Sequence, residues 1–130
     1  MKTLIVEDEF TARLTLQNFL SRYGECHIAV SGKEAVEAFR MATESGSGYD
    51  LVCMDILLPE MDGPAAVKEI RSLEQARDIL SSQGAKIIMT TAVEDMKEVI
   101  RSFNQLCDAY LVKPVNLTDL GHQLTSFGLI

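Results

Sequence analysis

Two carboxylates, Glu7 and Asp8, follow the apolar run Lys2–Val6, and a third, Asp55, stops the most apolar run of the chain, Leu51–Met54. Thr91 follows the run Lys86–Thr90, and Lys113 follows Ala109–Val112. If these run ends meet, three acids converge on one lysine. Carboxylates packed that closely repel one another and raise at least one pKa unless a cation joins them. A magnesium ion suits an oxygen-only ligand set and keeps waters for an incoming phosphoryl group. Asp55 is then a candidate nucleophile toward phosphorus, because carboxylates form acyl phosphates. Thr91 offers a hydroxyl, and Lys113 an ammonium, to phosphoryl oxygens as charge develops.

Each residue also has a plainer use. An acid after a strand often caps the next helix, and Asp8 or Glu9 can serve the first helix in that way. Thr91 opens a Thr-x-x-Glu sequence with Glu94, so capping and chemistry can coexist there. Lys113 taken alone is an ordinary surface lysine, and Tyr110 a half-buried strand aromatic. Asp55 resists such an account, because a carboxylate at the end of so apolar a run needs a partner.

The elements that must bring these residues together are legible as short apolar runs alternating with longer stretches of helical period. Strands are expected over Lys2–Val6, Cys26–Val30, Leu51–Met54, Lys86–Thr90 and Ala109–Val112. Helical spacing runs from Phe10 to Tyr23 (Ala12, Leu16, Phe19, Tyr23), with Gly24 as the stop. Ser31-Gly32-Lys33-Glu34 has the form of a capping box ahead of a helix through Ala35, Val36, Ala38 and Phe39. A third helix carries Val67, Ile70, Leu73, Ala76 and Leu80 and ends at Ser81–Gly84; a fourth covers Met96–Leu106. Asn116 caps a last helix through Leu117, Leu120 and Leu124. Five alternating β–α units imply a doubly wound α/β fold, with a five-stranded parallel sheet covered by helices on both faces. In such sheets the reactive site lies outside the carboxyl ends of the strands, where Glu7, Asp8, Asp55, Thr91 and Lys113 all emerge.

Composition narrows the function classes. The chain has 130 residues, 47% hydrophobic and 24% charged, the balance of one soluble domain over residues 1–130 with no output domain. No apolar run approaches the ~20 residues that span a bilayer, and the start of the chain lacks the form of a signal peptide. Twelve basic against 19 acidic side chains leave a net charge of −7. That charge repels phosphate backbones and anionic lipids, which argues against direct nucleic-acid binding and membrane insertion. Cys26, Cys53 and Cys107 lack metal-site spacing and read as free thiols in a reducing cytoplasm. A redox role stays open for Cys107.

Four motifs in order carry a family resemblance. Val6-Glu7-Asp8-Glu9, Met54-Asp55-Ile56-Leu57-Leu58-Pro59-Glu60-Met61-Asp62-Gly63, Thr91-Ala92 and Tyr110-Leu111-Val112-Lys113-Pro114 together resemble the response-regulator receiver family of two-component signalling, from Lys2 to about Gln123. The resemblance implies the flavodoxin-like (βα)5 receiver fold and phosphorylation of Asp55 by a sensor histidine kinase or histidine phosphotransfer protein. It implies that Asp8, Asp55 and the backbone carbonyl of Leu57 bind Mg2+ (or Mn2+) directly, with Glu7 acting through water. Thr91 and Tyr110 match the family's switch pair, Lys113 its phosphate-binding lysine, and the Lys113–Pro114 bond is expected to be cis. The implied output is altered protein binding at the face of Met96–Leu106, Ala109–Val112 and the last helix. A downstream target or a second copy of the chain would bind there.

Two features depart from the pattern. The segment from Gly63 to Lys86 and the Ser45–Gly48 loop are longer than in most receivers. Leu57 and Val93, which flank the site, are apolar where many receivers carry polar groups. Their lack of water-orienting groups predicts a long-lived phosphorylated state. Two other classes compete with the switch. A phosphohydrolase of the haloacid-dehalogenase type needs a second Asp two residues beyond the nucleophile, where this chain has Leu57. A flavodoxin-like cofactor binder or degenerate scaffold has no use for the intact acids and lysine.

Overall fold

Leu4, Val52 and Ile87 stand in register across three neighbouring strands, as do Ile5, Cys53 and Ile88 in the next row and Val6, Met54 and Met89 in the row after. The first and third rows face one side of the sheet and the middle row the other, following the period-two alternation of a strand. In the computed structural model, which describes residues 1–80, 83–92, 97 and 106–130, the strands are β1 (Thr3–Val6), β2 (Cys26–Ala29), β3 (Leu51–Asp55), β4 (Lys86–Thr91) and β5 (Ala109–Val112). All pairs are parallel, in the order β2-β1-β3-β4-β5. Helices α2 (Gly32–Glu44) and α3 (Gly63–Gln75) cover one face through Ala35, Phe39, Ala66, Val67 and Ile70. Helices α1 (Phe10–Leu20) and α4 (Leu117–Ser126) cover the other through Leu16, Leu20, Leu120 and Leu124. The doubly wound, five-stranded parallel fold is therefore as the alternation of elements implied. Every β3 residue is buried, as a central strand with helices on both faces requires.

Local chemistry explains the helix starts. Glu9, not Asp8, caps α1, accepting hydrogen bonds from Thr11 N (3.0 Å) and Ala12 N (2.7 Å). Ser31 Oγ accepts from Glu34 N at 3.1 Å, while Glu34 turns back to Val30 N at 3.5 Å, so only the serine half of the capping box is well formed. Asp62 caps α3 ahead of Pro64, and Asn116 caps α4 as expected.

Two helix ends fall short of the sequence expectation. α1 stops at Leu20, and Ser21–Tyr23 tightens into a 3-10 turn. α3 ends at Gln75, not near Ser81, because Asp78 turns left-handed (φ 59°) while Asp78 N bonds Gln75 O and Ile79 N bonds Glu74 O. That pair of bonds is a Schellman closure, and it ejects Leu80 from the helix. Val93, Glu94, Arg101 and the expected helix over Met96–Leu106, apart from Lys97 and Leu106, lie outside the described residues.

The three cysteines are free thiols. Burial pushes Cys53 up to about 12 and Cys107 up to about 11, leaving little thiolate at neutral pH and no support for a reactive Cys107.

Candidate functional site

The sheet order sends the chain from β1 out to β2 on one side and back to β3 on the other, so the carboxyl ends of β1 and β3 form a topological switch point. Val6 pairs with Met54, which brings Glu7 and Asp55 out side by side. On the far side of β4, Thr91 pairs with Val112, and Lys113 N donates to Thr91 O at 2.8 Å. Glu7, Asp8, Asp55, Thr91 and Lys113 thus share one edge.

Side chains close the gap that the backbone leaves. Lys113 Nζ donates to Glu7 Oε1 at 2.5 Å and to Asp55 Oδ2 at 2.7 Å. Ligand oxygens of Glu7, Asp8 and Asp55 lie within 4.8 Å of one another. Glu7 is 1% exposed and Asp55 8%, whereas Asp8 is open to solvent. Glu7 Oε2 is buried without a hydrogen-bond partner among the described residues. Burial, reinforced by the neighbouring Asp55 carboxyl and only partly offset by Lys113, pushes Glu7 up to about 7. Burial opposes the Lys113 charge, but the two carboxylates outweigh it and hold the ammonium above its ordinary range.

The loop after Asp55 folds back on the acid. Leu57 N donates to Asp55 Oδ1 at 3.2 Å, while the Leu57 side chain is 68% exposed. Gly63 N bonds Ile56 O at 2.9 Å, closing the loop beneath the site. At its tip, Glu60 (φ 58°) and Met61 (φ 137°) occupy backbone conformations that non-glycine residues rarely adopt.

Thr91 is buried, and its hydroxyl donates to Ala92 O at 3.1 Å; Glu94, its expected capping partner, lies outside the described residues. Tyr110 packs against the α2–α3 side of the core beside Leu106 and Cys107, with its hydroxyl buried and unpartnered among the described residues. Burial, and then the adjacent Cys107, push that phenol well above its usual range. The Lys113–Pro114 peptide is cis. Sequence reasoning missed Arg13, whose guanidinium reaches back to Glu7 O at 3.1 Å and lies over the Phe10 ring. A basic residue one turn into the helix that follows an acidic strand end is the available signal.

Chemically, the edge offers an oxygen-only pocket with one ammonium, one buried hydroxyl-bearing strand end and one carboxylate, Asp55, held by donors on both oxygens.

The family model for the response regulator receiver domain matches residues 3–125. Response regulator protein VraR of Staphylococcus saprophyticus is 26% identical over 124 residues, covering 95% of this chain and 54% of that protein. The chain therefore spans about half the length of this relative. Among solved structures, the receiver domain of the Saccharomyces cerevisiae response regulator Ssk1, crystallised with the histidine phosphotransfer protein Ypd1, has a TM-score of 0.79 at 30% identity. That match covers 98% of this chain and 88% of the other. The receiver domain of a Pseudomonas aeruginosa sensor histidine kinase, with a magnesium ion coordinated in its active-site cleft, has a TM-score of 0.77 at 26% identity, over 97% and 95% of the two chains.

Proposed function

This chain belongs to the response-regulator receiver domain family, and we propose that it is a phosphoacceptor switch taking a phosphoryl group onto Asp55 from a sensor histidine kinase or a histidine phosphotransfer protein. The observation that carries this reading is the Lys113 ammonium held between Asp55 and Glu7 at the switch point of the sheet. The complex formed by the similar Ssk1 receiver with Ypd1 supports the class of donor.

In the transfer, an Asp55 carboxylate oxygen forms a bond to phosphorus while the phosphorus–nitrogen bond of a phosphohistidine breaks. The electron pair of that bond returns to the imidazole. Lys113, already 2.7 Å from Asp55, is placed to follow the phosphoryl oxygens as negative charge accumulates on them. Thr91, at the end of β4, presents its hydroxyl from the neighbouring strand. The N–H of Leu57 orients the other Asp55 oxygen.

A divalent cation fits this site. The donor set is all oxygen, three ligand atoms lie within 4.8 Å of one another, and the buried Glu7 Oε2 has a lone pair without a partner among the described residues. Asp8, Asp55 and the Leu57 carbonyl would hold it, with Glu7 acting through water. When bound, Mg2+ supplies charge neutralisation for an anionic donor approaching clustered carboxylates. The Mg2+ in the similar Pseudomonas aeruginosa receiver domain supports this choice. On this reading Asp8→Asn weakens Mg2+ binding more than Glu7→Gln does, and Mn2+ substitutes for Mg2+.

Output on this reading is a change of protein binding, with Thr91 drawn toward the phosphoryl group and Tyr110 repacking beside β5. The Tyr110 hydroxyl, buried without a hydrogen-bond partner among the described residues, supports it, since such a group gains by finding a new partner. The binding partner is a downstream protein or a second copy of the chain, and the setting is the cytoplasm. Residues 1–130 act as one receiver domain. Catalysis is confined to the protein's own phosphorylation and dephosphorylation.

The test is intact-mass measurement after incubation with acetyl phosphate. Wild type should gain one phosphoryl group only when Mg2+ is present, and Asp55→Asn should gain none. Equal labelling of Asp55→Asn would overturn the reading.

A further inference from the structure

The loop between β3 and α3 is held at its base and near its tip by two glycines in contact with backbone, Gly63 and Gly32. A Cβ added to Gly63 would lie 2.3 Å from Asp55 O and 2.9 Å from Ile56 Cα. A Cβ added to Gly32, the first residue of α2, would lie 1.8 Å from Met61 O and 2.7 Å from Met61 C. Those neighbours are backbone atoms, so they cannot turn aside as a flexible side chain would. At the tip, Glu60 and Met61 keep positive φ values of 58° and 137° without being glycine. Such conformations persist only where the surroundings over-determine them. Gly32 N faces Pro59 O at 3.4 Å, so the start of α2 touches the loop on both sides of its tip.

We propose that Gly32, at the start of α2, a helix that carries no residue assigned to the site, is a positioning residue for the loop that carries Leu57. By having no side chain it lets the Pro59–Met61 tip seat against α2. The seated tip fixes where the Leu57 backbone stands relative to Asp55. This rests on the phosphoacceptor reading of Asp55. Helix propensity favours Ala over Gly, so weakening of α2 itself is not what Gly32→Ala should report. The added methyl must instead push the loop, and a displacement near 1 Å at a reacting centre costs up to ~10²-fold in rate.

Three readouts test this: Mg2+ affinity by titration without any phosphodonor, the rate of phosphoryl gain from acetyl phosphate, and the melting temperature in chelator. Gly32→Ala should weaken Mg2+ binding several-fold and slow phosphoryl gain on the order of tenfold or more. Its metal-free melting temperature should fall, because the Met61 backbone must move, while the melt stays a single transition well above the assay temperature. Gly48→Ala, at a glycine with nothing within 4 Å of the added methyl, should match wild type in all three. Met61→Gly approaches the loop from the other side, introducing no clash while freeing the tip from its constraint. It should also weaken Mg2+ binding, at some cost in metal-free stability because the Met61 side chain packs against the core, and it keeps the test decisive if Gly32→Ala does not fold. Wild-type Mg2+ affinity and phosphoryl gain in both variants would overturn the positioning role alone. Absence of both in wild type would overturn the phosphoacceptor reading, and the positioning role with it.

Discussion

Lys113 Nζ lies 2.7 Å from Asp55 Oδ2 although 58 residues separate them in sequence. The same ammonium serves Glu7, so one cation balances two largely buried carboxylates while a third, Asp8, stands beside them in solvent. One lysine cannot satisfy every oxygen, and Glu7 Oε2 is left without a partner among the described residues. The excess of acid over base at this edge shapes its pH behaviour and, on the phosphoacceptor reading, would favour a bound cation.

Glu7 makes the metal-free protein less stable as pH rises. Its folded pKa, near 7, exceeds the ordinary glutamate value of 4.5, so between those values the folded state binds more protons than the unfolded state. Stability is then full below about pH 4.5 and is lost as pH climbs through 7. Thermal melts in chelator should show this decline in wild type and a flatter profile in Glu7→Gln. Parallel profiles would remove the role given to Glu7.

Leu57 should slow loss of the phosphoryl group. Its exposed side chain sits two residues beyond Asp55 and has no group to orient an attacking water. Replacing it with Asn adds one water-positioning hydrogen bond, worth about 1 kcal/mol, or several-fold in rate. Following decay after removal of acetyl phosphate checks this. Unchanged or slower decay in Leu57→Asn contradicts it. Val93, the other apolar position singled out in the sequence, lies outside the described residues.

At the opposite edge of the sheet, Arg71 donates to Glu74 (2.7 Å), Asp108 (2.9 Å), Leu106 O and Ala85 O. Glu74 is buried and also accepts from Ala85 N at 2.8 Å. Removing one partner of a buried ion pair strands the other, so Arg71→Ala should cost about 3–5 kcal/mol in urea unfolding. A loss below about 1 kcal/mol would mean the cluster behaves as a surface pair.

Cys53 should be inert in the native state. Burial raises its thiol to about 12 and keeps reagents out, so alkylation at pH 8 should leave it unmodified until denaturant is added. Mass mapping of the labelled peptides decides this, and rapid native labelling of Cys53 would show that β3 opens readily.

Much of the fold was legible because its signals are local. Short apolar runs that end abruptly at Asp55 or Glu7 mark strand ends, and strict alternation with helical stretches leaves a parallel sheet as the economical arrangement. Several candidate site residues were legible for the same reason: Glu7 and Lys113 directly follow β1 and β5, and Asp55 and Thr91 close β3 and β4. What escaped the sequence depends on distant partners. The reach of Arg71 to Asp108 spans 37 residues. The need for glycine at position 32 arises from the Met61 carbonyl, which no pattern around Ser31–Glu34 reveals. The early end of α3 turns on the left-handed Asp78, a residue type that tolerates that conformation without announcing it.

The most direct test of the central claim is to locate the phosphoryl bond. Protein treated with acetyl phosphate and Mg2+ is reduced with borohydride, which converts an aspartyl acyl phosphate to homoserine, and its peptides are sequenced by mass spectrometry. Homoserine is expected at position 55 alone, and none when Mg2+ is withheld. Homoserine at Asp8 or at another acid, or a phosphate that survives reduction on a hydroxyl side chain, would contradict it.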